Sequence, residues 1–365
     1  MKLQCNVEQL KNAIALADRM TGKNLTLPTL HALLLRASGT TLSIRATNLA
    51  VGIEIAITAK IESEGMVLVK GDVMANVCNH LGGNGDITLS VEHDNVTIVT
   101  AQNTTVIKCL PPDDFPTLPT VEGEQFDLKS ALLQDGIRSV YFCAATTEIK
   151  PEIASIFLFS EENNLVFVAT DSFRLGEKKL TAKGIPDIAK ILIPYKNIPD
   201  MLKVLDVIGD TVSIAYSRNQ ISFSGNGIYF TSRLIDGAFP DYRRIMPTEE
   251  HTKTVLMKQE LLNALRLLTV FADKFFQIVY TVSAEEKSVT IASKNADVGS
   301  SISNIDAVIT GDSIEVGCHL KYFLDVFQSL NGDSISLSFT APNKPILVKS
   351  VQDTSFTYLL MPTNR

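Results

Sequence analysis

Histidine and cysteine are the side chains here best suited to catalysis or metal binding, and their spacing gives them little chance to act together. The five histidines (31, 80, 93, 251 and 319) are scattered, without an HExxH metal motif, and no GxSxG elbow marks a serine nucleophile. Cys78 and His80 lie two positions apart, and Cys318 and His319 are adjacent. Both pairs are expected in the second helix of their segment, where such neighbours diverge and cannot share a zinc ion. The five cysteines (5, 78, 109, 143 and 318) form no CxxC pair, and no signal peptide is apparent at the N-terminus. They read as reduced core thiols of a cytosolic protein. Gly82-Gly83-Asn84-Gly85 lacks the third glycine of a dinucleotide loop and the Gly-Lys-Ser/Thr of a phosphate loop, so it reads as a turn. The expectation is a protein that is not an enzyme and has no catalytic residues, no metal and no cofactor.

Two other segments invite a binding role. One is Ala169-Thr170-Asp171-Ser172-Phe173-Arg174-Leu175, and the other runs from Asp236 through Phe239-Pro240-Asp241-Tyr242-Arg243-Arg244-Ile245-Met246 to Pro247. They admit two readings. In one, they are a strand end and a proline-bounded linker with solvated arginines. In the other, Phe173, Leu175, Pro240, Ile245 and Met246 join Arg174 and Arg244 in a partly apolar, arginine-rimmed groove for a peptide.

The elements that must position these segments come in threes. Gly85-Asp86, Gly209-Asp210 and Gly332-Asp333 are 124 and 123 residues apart, and each is followed by an alternating strand pattern. Phe115-Pro116, Phe239-Pro240 and Met361-Pro362 place their prolines 124 and 122 apart. Each repeat opens with a strand and a helix: Leu10, Ala13, Ile14 and Ala17, then Leu133 and Ile137, then Leu261, Leu265 and Leu268. Each holds a second helix, marked by Val73, Val77 and Leu81, by Met201, Leu202 and Leu205, and by Phe323, Val326, Phe327 and Leu330. With about eight strands beside these two helices, the fold class is α+β, two helices packed on antiparallel sheet in each of three domains. The expected boundaries are 1–122, 123–247 and 248–365. A hydrophobic fraction of 45% supports a core in each, and the net charge of −7 argues against wrapping nucleic acid over the whole surface. No apolar run approaches the ~18 residues needed to cross a bilayer, so no membrane role is expected.

Over its whole length the chain resembles the bacterial DNA polymerase III β subunit, the replicative sliding clamp. The segments Gly237-Ala238-Phe239-Pro240-Asp241-Tyr242-Arg243-Arg244-Ile245-Met246-Pro247 and Ala169 to Leu175 carry the resemblance, with Leu359-Leu360-Met361-Pro362 at the end. The resemblance implies three DNA-clamp domains per chain and a homodimeric ring around duplex DNA, held topologically and without reading sequence. At about 10 Å of circumference per helix, the six helices of one chain enclose too little room for a duplex about 20 Å wide. Twelve helices, from two chains, give about 120 Å and a hole of roughly 28 Å.

It also implies a groove between the second and third domains, formed by Ile153, Thr170, Phe173, Arg174, Leu175, Pro240, Arg244, Ile245, Leu359 and Met361. That groove takes short apolar peptide motifs from the replicative polymerase, the clamp loader and repair proteins. Ser172-Phe173 stands where Gly-His is common in the family, so a bulky Phe173 reshapes the mouth. Thr363-Asn364-Arg365 also departs from the family pattern. The candidate DNA-facing cations are Lys11, Lys23, Lys150, Lys196 and Lys203, with Arg19, Arg138, Arg266 and Lys321. The alternative for each is a solvated helix face. The dimer seam is expected at Thr105 and Ile107 against Thr269, Val270 and Phe271, with the last two otherwise read as domain core. Nothing in the chain binds ATP, so opening the ring falls to a separate loader, and the working place is the cytoplasm, at the nucleoid during replication.

Overall fold

A strand leading straight into a helix opens each repeat, and the first shows why. Lys2–Asn6 alternates buried and exposed residues, and Asn6 ends it by capping the helix α1 (Val7–Asp18). Its side-chain oxygen accepts from the backbone N–H of Glu8 and Gln9 at 3.0 and 3.1 Å, so two of the helix's orphan donors are satisfied. Val7, Leu10, Ala13, Ile14 and Ala17 then form the buried stripe.

The computed structural model describes residues 1–22, 27–82, 85–111, 114–182 and 185–363. Among them are α1, α2 (Gly71–His80), α3 (Ser130–Val140), α4 (Ile198–Leu205), α5 (Lys258–Leu268) and α6 (Leu320–Asp325). Two helices and eight strands fall within each of the stretches 1–122, 123–247 and 248–365. All described strand pairs are antiparallel, in two sheets of twelve strands. The Gly-Asp turns sit just ahead of strands beginning at 86, 211 and 334. Gly85, Gly209 and Gly332 have φ of 152, 110 and 83°, where a side chain would be strained.

The chain divides into two compact units that cut across the repeats. The first unit comprises 1–134 and 196–234, and the second 135–195 and 235–365. In the first, the strand Val51–Ser63 serves several neighbours: Ala59 to Ser63 pair with the opening strand, while Val51 to Ile55 pair with Ser232 to Ile228 of the middle repeat. In the second, Arg174 to Lys178 of the middle repeat pair with Leu360 to Phe356 of the third. Both junctions are ladders of five residue pairs in the same register, with Val51 opposite Ser232 as Arg174 is opposite Leu360. Each repeat also closes on itself at one place: Val69 pairs with Cys109, Ile235 N–H donates to Leu192 O, and Thr363 N–H donates to Gly317 O.

Two sequence expectations are corrected. Cys318 lies within the strand Ile314–His319 rather than in a helix, and His319, which ends that strand, is the N-cap of α6, accepting the Tyr322 N–H at Nδ1 (3.4 Å). In α2 the buried residues are Gly71, Met74, Ala75 and Cys78, while Val73 is 37% exposed. Val73, Val77 and Leu81 make an equally regular stripe. The helix rotation is set instead at Gly71, where a Cβ would fall 2.4 Å from Asp18 Oδ1. Gly83 and Asn84 of the expected glycine turn lie outside the described residues.

Candidate partner-binding groove

All ten groove residues expected from sequence fall in the second compact unit. The turn 171–173 is built by short polar side chains. Thr170 Oγ1 donates to Arg174 O (2.6 Å) and accepts from Ser172 N–H (3.1 Å), while Asp171 Oδ1 accepts from the N–H of Phe173 and Arg174 (2.9 and 3.0 Å). Ser172 is thereby held at φ 78°, a left-handed conformation unusual for serine. The Thr170 hydroxyl is occupied in shaping the turn.

From that turn Leu175 points into an apolar cluster with Phe157, Val168, Leu192, Leu347 and Leu359, and Met246 and Phe239 pack on it. Leu175 and Leu359 face each other across the junction ladder, each 1% exposed, and belong to the core rather than to a contact surface. By contrast, Ile245 is 46% exposed and Met361 is half-buried. Arg244, Ile245, Met246 and Met361 line a cleft of about 410 Å³ with Asn343 and Pro345. Pro240 lines a second cleft, of about 460 Å³, over Phe157, Phe159 and Leu192. Ile153 is buried in the turn before the strand Ser155–Glu161, its carbonyl accepting from Ala145 N–H at 3.0 Å.

The consecutive aromatic and arginine residues of the linker have different duties. Tyr242 is buried and donates to Glu177 Oε2 (2.5 Å), anchoring the linker to the middle repeat. Arg243 Nη2 holds both oxygens of Glu161 at 2.7 Å, and that hydrogen bond keeps the Glu161 carboxyl below its ordinary range. Arg244 turns outward with its side chain 84% exposed, tied only to Asp241 (2.7 Å).

Arg174 behaves as a joint. Its Nε donates to Asp171 (2.9 Å) and its Nη1 to Asp325 at the end of α6 (2.5 Å), with the guanidinium 4.5 Å from the Tyr322 ring centre. Burial works against its charge, but the Asp325 hydrogen bond together with the fields of Tyr358, Cys143 and Asp171 outweighs that and raises its pKa. Phe173, 59% exposed, stacks on Tyr322 (6.3 Å), which stacks on His319 (4.1 Å). Burial, with help from Lys321 and Arg174, lowers the His319 pKa from 6.5 and favours the neutral ring that caps α6. Four residues along the strand, Lys178 (2% exposed) reaches Ser355 Oγ at 2.9 Å, Asp135 at 3.4 Å and Asp353 at 3.7 Å. Sequence reading missed Tyr322, Asp325 and the partners of Lys178, which lie far along the chain with no local motif.

The other candidate residues are placed as follows. Lys11 Nζ donates to Asn79 O at 3.4 Å, Arg19 pairs with Asp200 at 2.9 Å, and Lys203 pairs with Asp206 at 3.9 Å. Lys150 and Lys196 are exposed, and Lys23 lies outside the described residues. Lys321 sits 3.7 Å over the Phe276 ring. Thr105 is half-buried and Ile107 is 5% exposed, while their neighbour Val106 is 60% exposed. Thr269–Phe271 form a 3-10 turn after α5, in which Val270 is 62% exposed and so is not core. Phe271 is half-buried, its ring 3.8 Å from where a Gly299 Cβ would stand. Among the described residues no cluster of three or more His, Cys, Asp or Glu could hold a metal, and no helix is long and apolar enough to cross a membrane.

Comparison with known proteins gives one answer along the whole chain. Residues 1–119, 127–241 and 243–364 match, in order, the models of the N-terminal, central and C-terminal domains of the DNA polymerase III beta subunit. The beta sliding clamp of a Synechocystis strain is 27% identical over 388 residues, covering 99% of each chain. The crystal structure of the DNA polymerase III beta subunit of Thermotoga maritima superposes with a TM-score of 0.93 at 26% identity, over 100% of this chain and 99% of that one. The pol III beta structure of Caulobacter crescentus gives 0.94 at 25% identity, over all of both.

Proposed function

The chain belongs to the DNA polymerase III beta subunit family, and from that membership we propose that it works as a ring of two chains closed around duplex DNA. It is a DNA sliding clamp. The groove at the second junction tethers the replicative polymerase, the clamp loader and repair proteins by short apolar peptides. Ile245, Met361, Pro240 and Arg244 meet the peptide, with Leu175 and Leu359 in the core, while Thr170 and Arg174 hold the wall that Phe173 caps. The chain itself catalyses nothing; tethering raises the local concentration of each partner, so modest peptide affinity suffices. Its place is the cytoplasm, at the nucleoid during replication, and its three domains are bounded near 122 and 247.

One observation carries the ring: the five-pair ladder used at both junctions. Each joins the strand after a repeat's second hairpin turn to the last strand of the next repeat. Two strands of these same types remain without such a partner. Thr104–Leu110 ends the first repeat, pairing over Thr104 to Lys108 on one side only. Gly299–Gly311 in the third repeat pairs from Gly299 to Asp306 only with Ser288–Asn295. Val51 and Ile55, buried within the first ladder at 3% and 5%, stand on the rungs that Gly299 and Ser303 occupy in the third repeat, on a strand whose Ile302 is 70% exposed. Phe230, buried at 0%, stands on the rung that Thr105 occupies in the first repeat, next to Val106, exposed at 60%. A second copy joining these edges head to tail, once at each end, covers them and leaves no free edge there. Val270 and Phe271 then flank the seam. Lys11, Lys23, Lys150, Lys196 and Lys203 supply weak phosphate contacts, as suits a ring that must slide.

The test is to load the protein on nicked circular DNA with a bacterial clamp loader and ATP, then linearise the circle. Retention on the circle followed by rapid loss after cutting is expected. Equal retention on both forms would mean ordinary DNA binding, and peptide binding without any retention would leave an adaptor.

A further inference from the structure

The two junctions share a register but not a filling. At the second, the position opposite Phe356 is Lys178, and its ammonium is held by Asp135 of α3, Asp353 and Ser355. At the first, the position opposite Ile228 is Ile55. Asn12 stands as far into α1 as Asp135 stands into α3, and Asn226 lies in the turn leading to Ile228, one place nearer its strand than Asp353 is to Phe356. Each charged member of the second junction is thus replaced by a neutral one. In the first compact unit these neutral residues line a cavity of about 780 Å³, Asn12, Ile55 and Asn226 together with Leu16, Val207 and others.

The lining specifies what fits. Its volume is that of a small-ligand site, and its floor of Leu16, Ile55, Ile57 and Ile228 is aliphatic. Gln9, Asn12 and Asn226 add carboxamides, which donate and accept alike and so match backbone C=O and N–H groups. A cationic ligand finds no carboxylate to spare. Asp206 faces Lys203, and at the rim Arg19 holds Asp200, which equally leaves no cation unmatched for an anionic ligand. Val207, 49% exposed, stands at the mouth. We propose that this cavity is a second docking site, for an uncharged extended peptide segment bearing a bulky aliphatic side chain, separate from the groove at the second junction.

The probe is N-acetyl-Leu-Leu-amide, titrated into the full-length protein with methyl groups labelled for NMR. Saturable shifts are expected at the Ile55, Ile57, Val207 and Ile228 methyls, and they should persist in Met361→Ala. They should be lost, with affinity at least about tenfold weaker, in Val207→Trp, which fills the mouth from an exposed position. They should also be lost in Asn12→Asp/Ile55→Lys/Asn226→Asp, which transplants the filled junction; should that variant not fold, Val207→Trp decides alone. No shifts at these methyls, or shifts that survive Val207→Trp, overturn the site. Equal shifts with toluene would make the occupant a plain apolar molecule and overturn its assignment to peptide.

Discussion

Leu175 and Met361 illustrate how two residues of one groove answer differently to the same substitution. Leu175 lies in the core, so Leu175→Ala should cost about 2–5 kcal/mol of stability, read by thermal or denaturant unfolding, and it confounds any loss of binding. Met361→Ala and Ile245→Ala remove half-exposed side chains. They should weaken an apolar clamp-type peptide by roughly tenfold in calorimetry with unfolding unchanged. Unaltered affinity in both would move the groove elsewhere. Arg244→Ala should lower peptide affinity while shifting stability by no more than about 0.5 kcal/mol, because its ion pair with Asp241 is exposed. His319 adds a pH dependence. Its pKa is lowered from 6.5 in the fold, so its contribution is present above pH 6.5 and lost as pH falls through the lower folded value. The α6 cap and the Phe173–Tyr322–His319 stack should loosen below pH 6.5, visible as Tyr322 amide exchange, and His319→Gln should flatten that profile. The residues legible in the sequence were those in contiguous motifs, such as Phe173, Arg174 and Arg244. Tyr322, Asp325 and Asp353 were not, because only strand pairing brings them beside residues 174–178.

The strands carry the molecule's logic more than the helices do. Both strand and helix patterns were legible, since period-two alternation and the glycine turns are local properties. The double duty of Val51–Ser63 and Gly299–Gly311 was not legible: a thirteen-residue strand reads as one alternating run, whatever pairs with each half. That double duty gives a sharp test of the seam. Val106→Asp or Ile302→Asp puts a charge on an edge expected to be covered, and should yield monomers in sedimentation, as should Phe271→Glu. A dimer of undiminished stability would place the seam elsewhere. At the second junction, Lys178→Met keeps the stem but leaves Asp135 and Asp353 without their shared cation, so it should cost about 3 kcal/mol in unfolding. Asp353→Ala should cost about 3 kcal/mol or more, because it also removes the acceptor for Ser355 and Asn331. Burial opposes the Asp353 charge, yet hydrogen bonds from Ser355 and Asn331 bring its carboxyl from 3.8 to about 2. That contribution is present above pH 3.8 and fades as pH falls toward 2.

For the molecule entire, the threefold repeat was the most legible property, because one fold repeated at a fixed interval leaves its mark in turns and prolines alike. How the middle repeat's strands divide between two sheets was hidden, since no residue type records which sheet a strand joins. Sequence-independent retention should therefore fall with the seam variants and survive the groove variants, separating enclosure from tethering in one loading assay. The shared register has a further meaning. Val51 and Arg174 occupy the same rung, as do Ile55 and Lys178, yet the rungs align, so the joint is written in backbone hydrogen bonds and is nearly blind to side chains. It is a universal coupling, and any chain with matching edges can plug into it. If the proposed seam uses the same coupling, two different clamps made in one cell would tend to form hybrid rings unless the side chains flanking it forbid that, and subunit identity would then be enforced at positions such as 270, 302 and 106 rather than in the ladder itself.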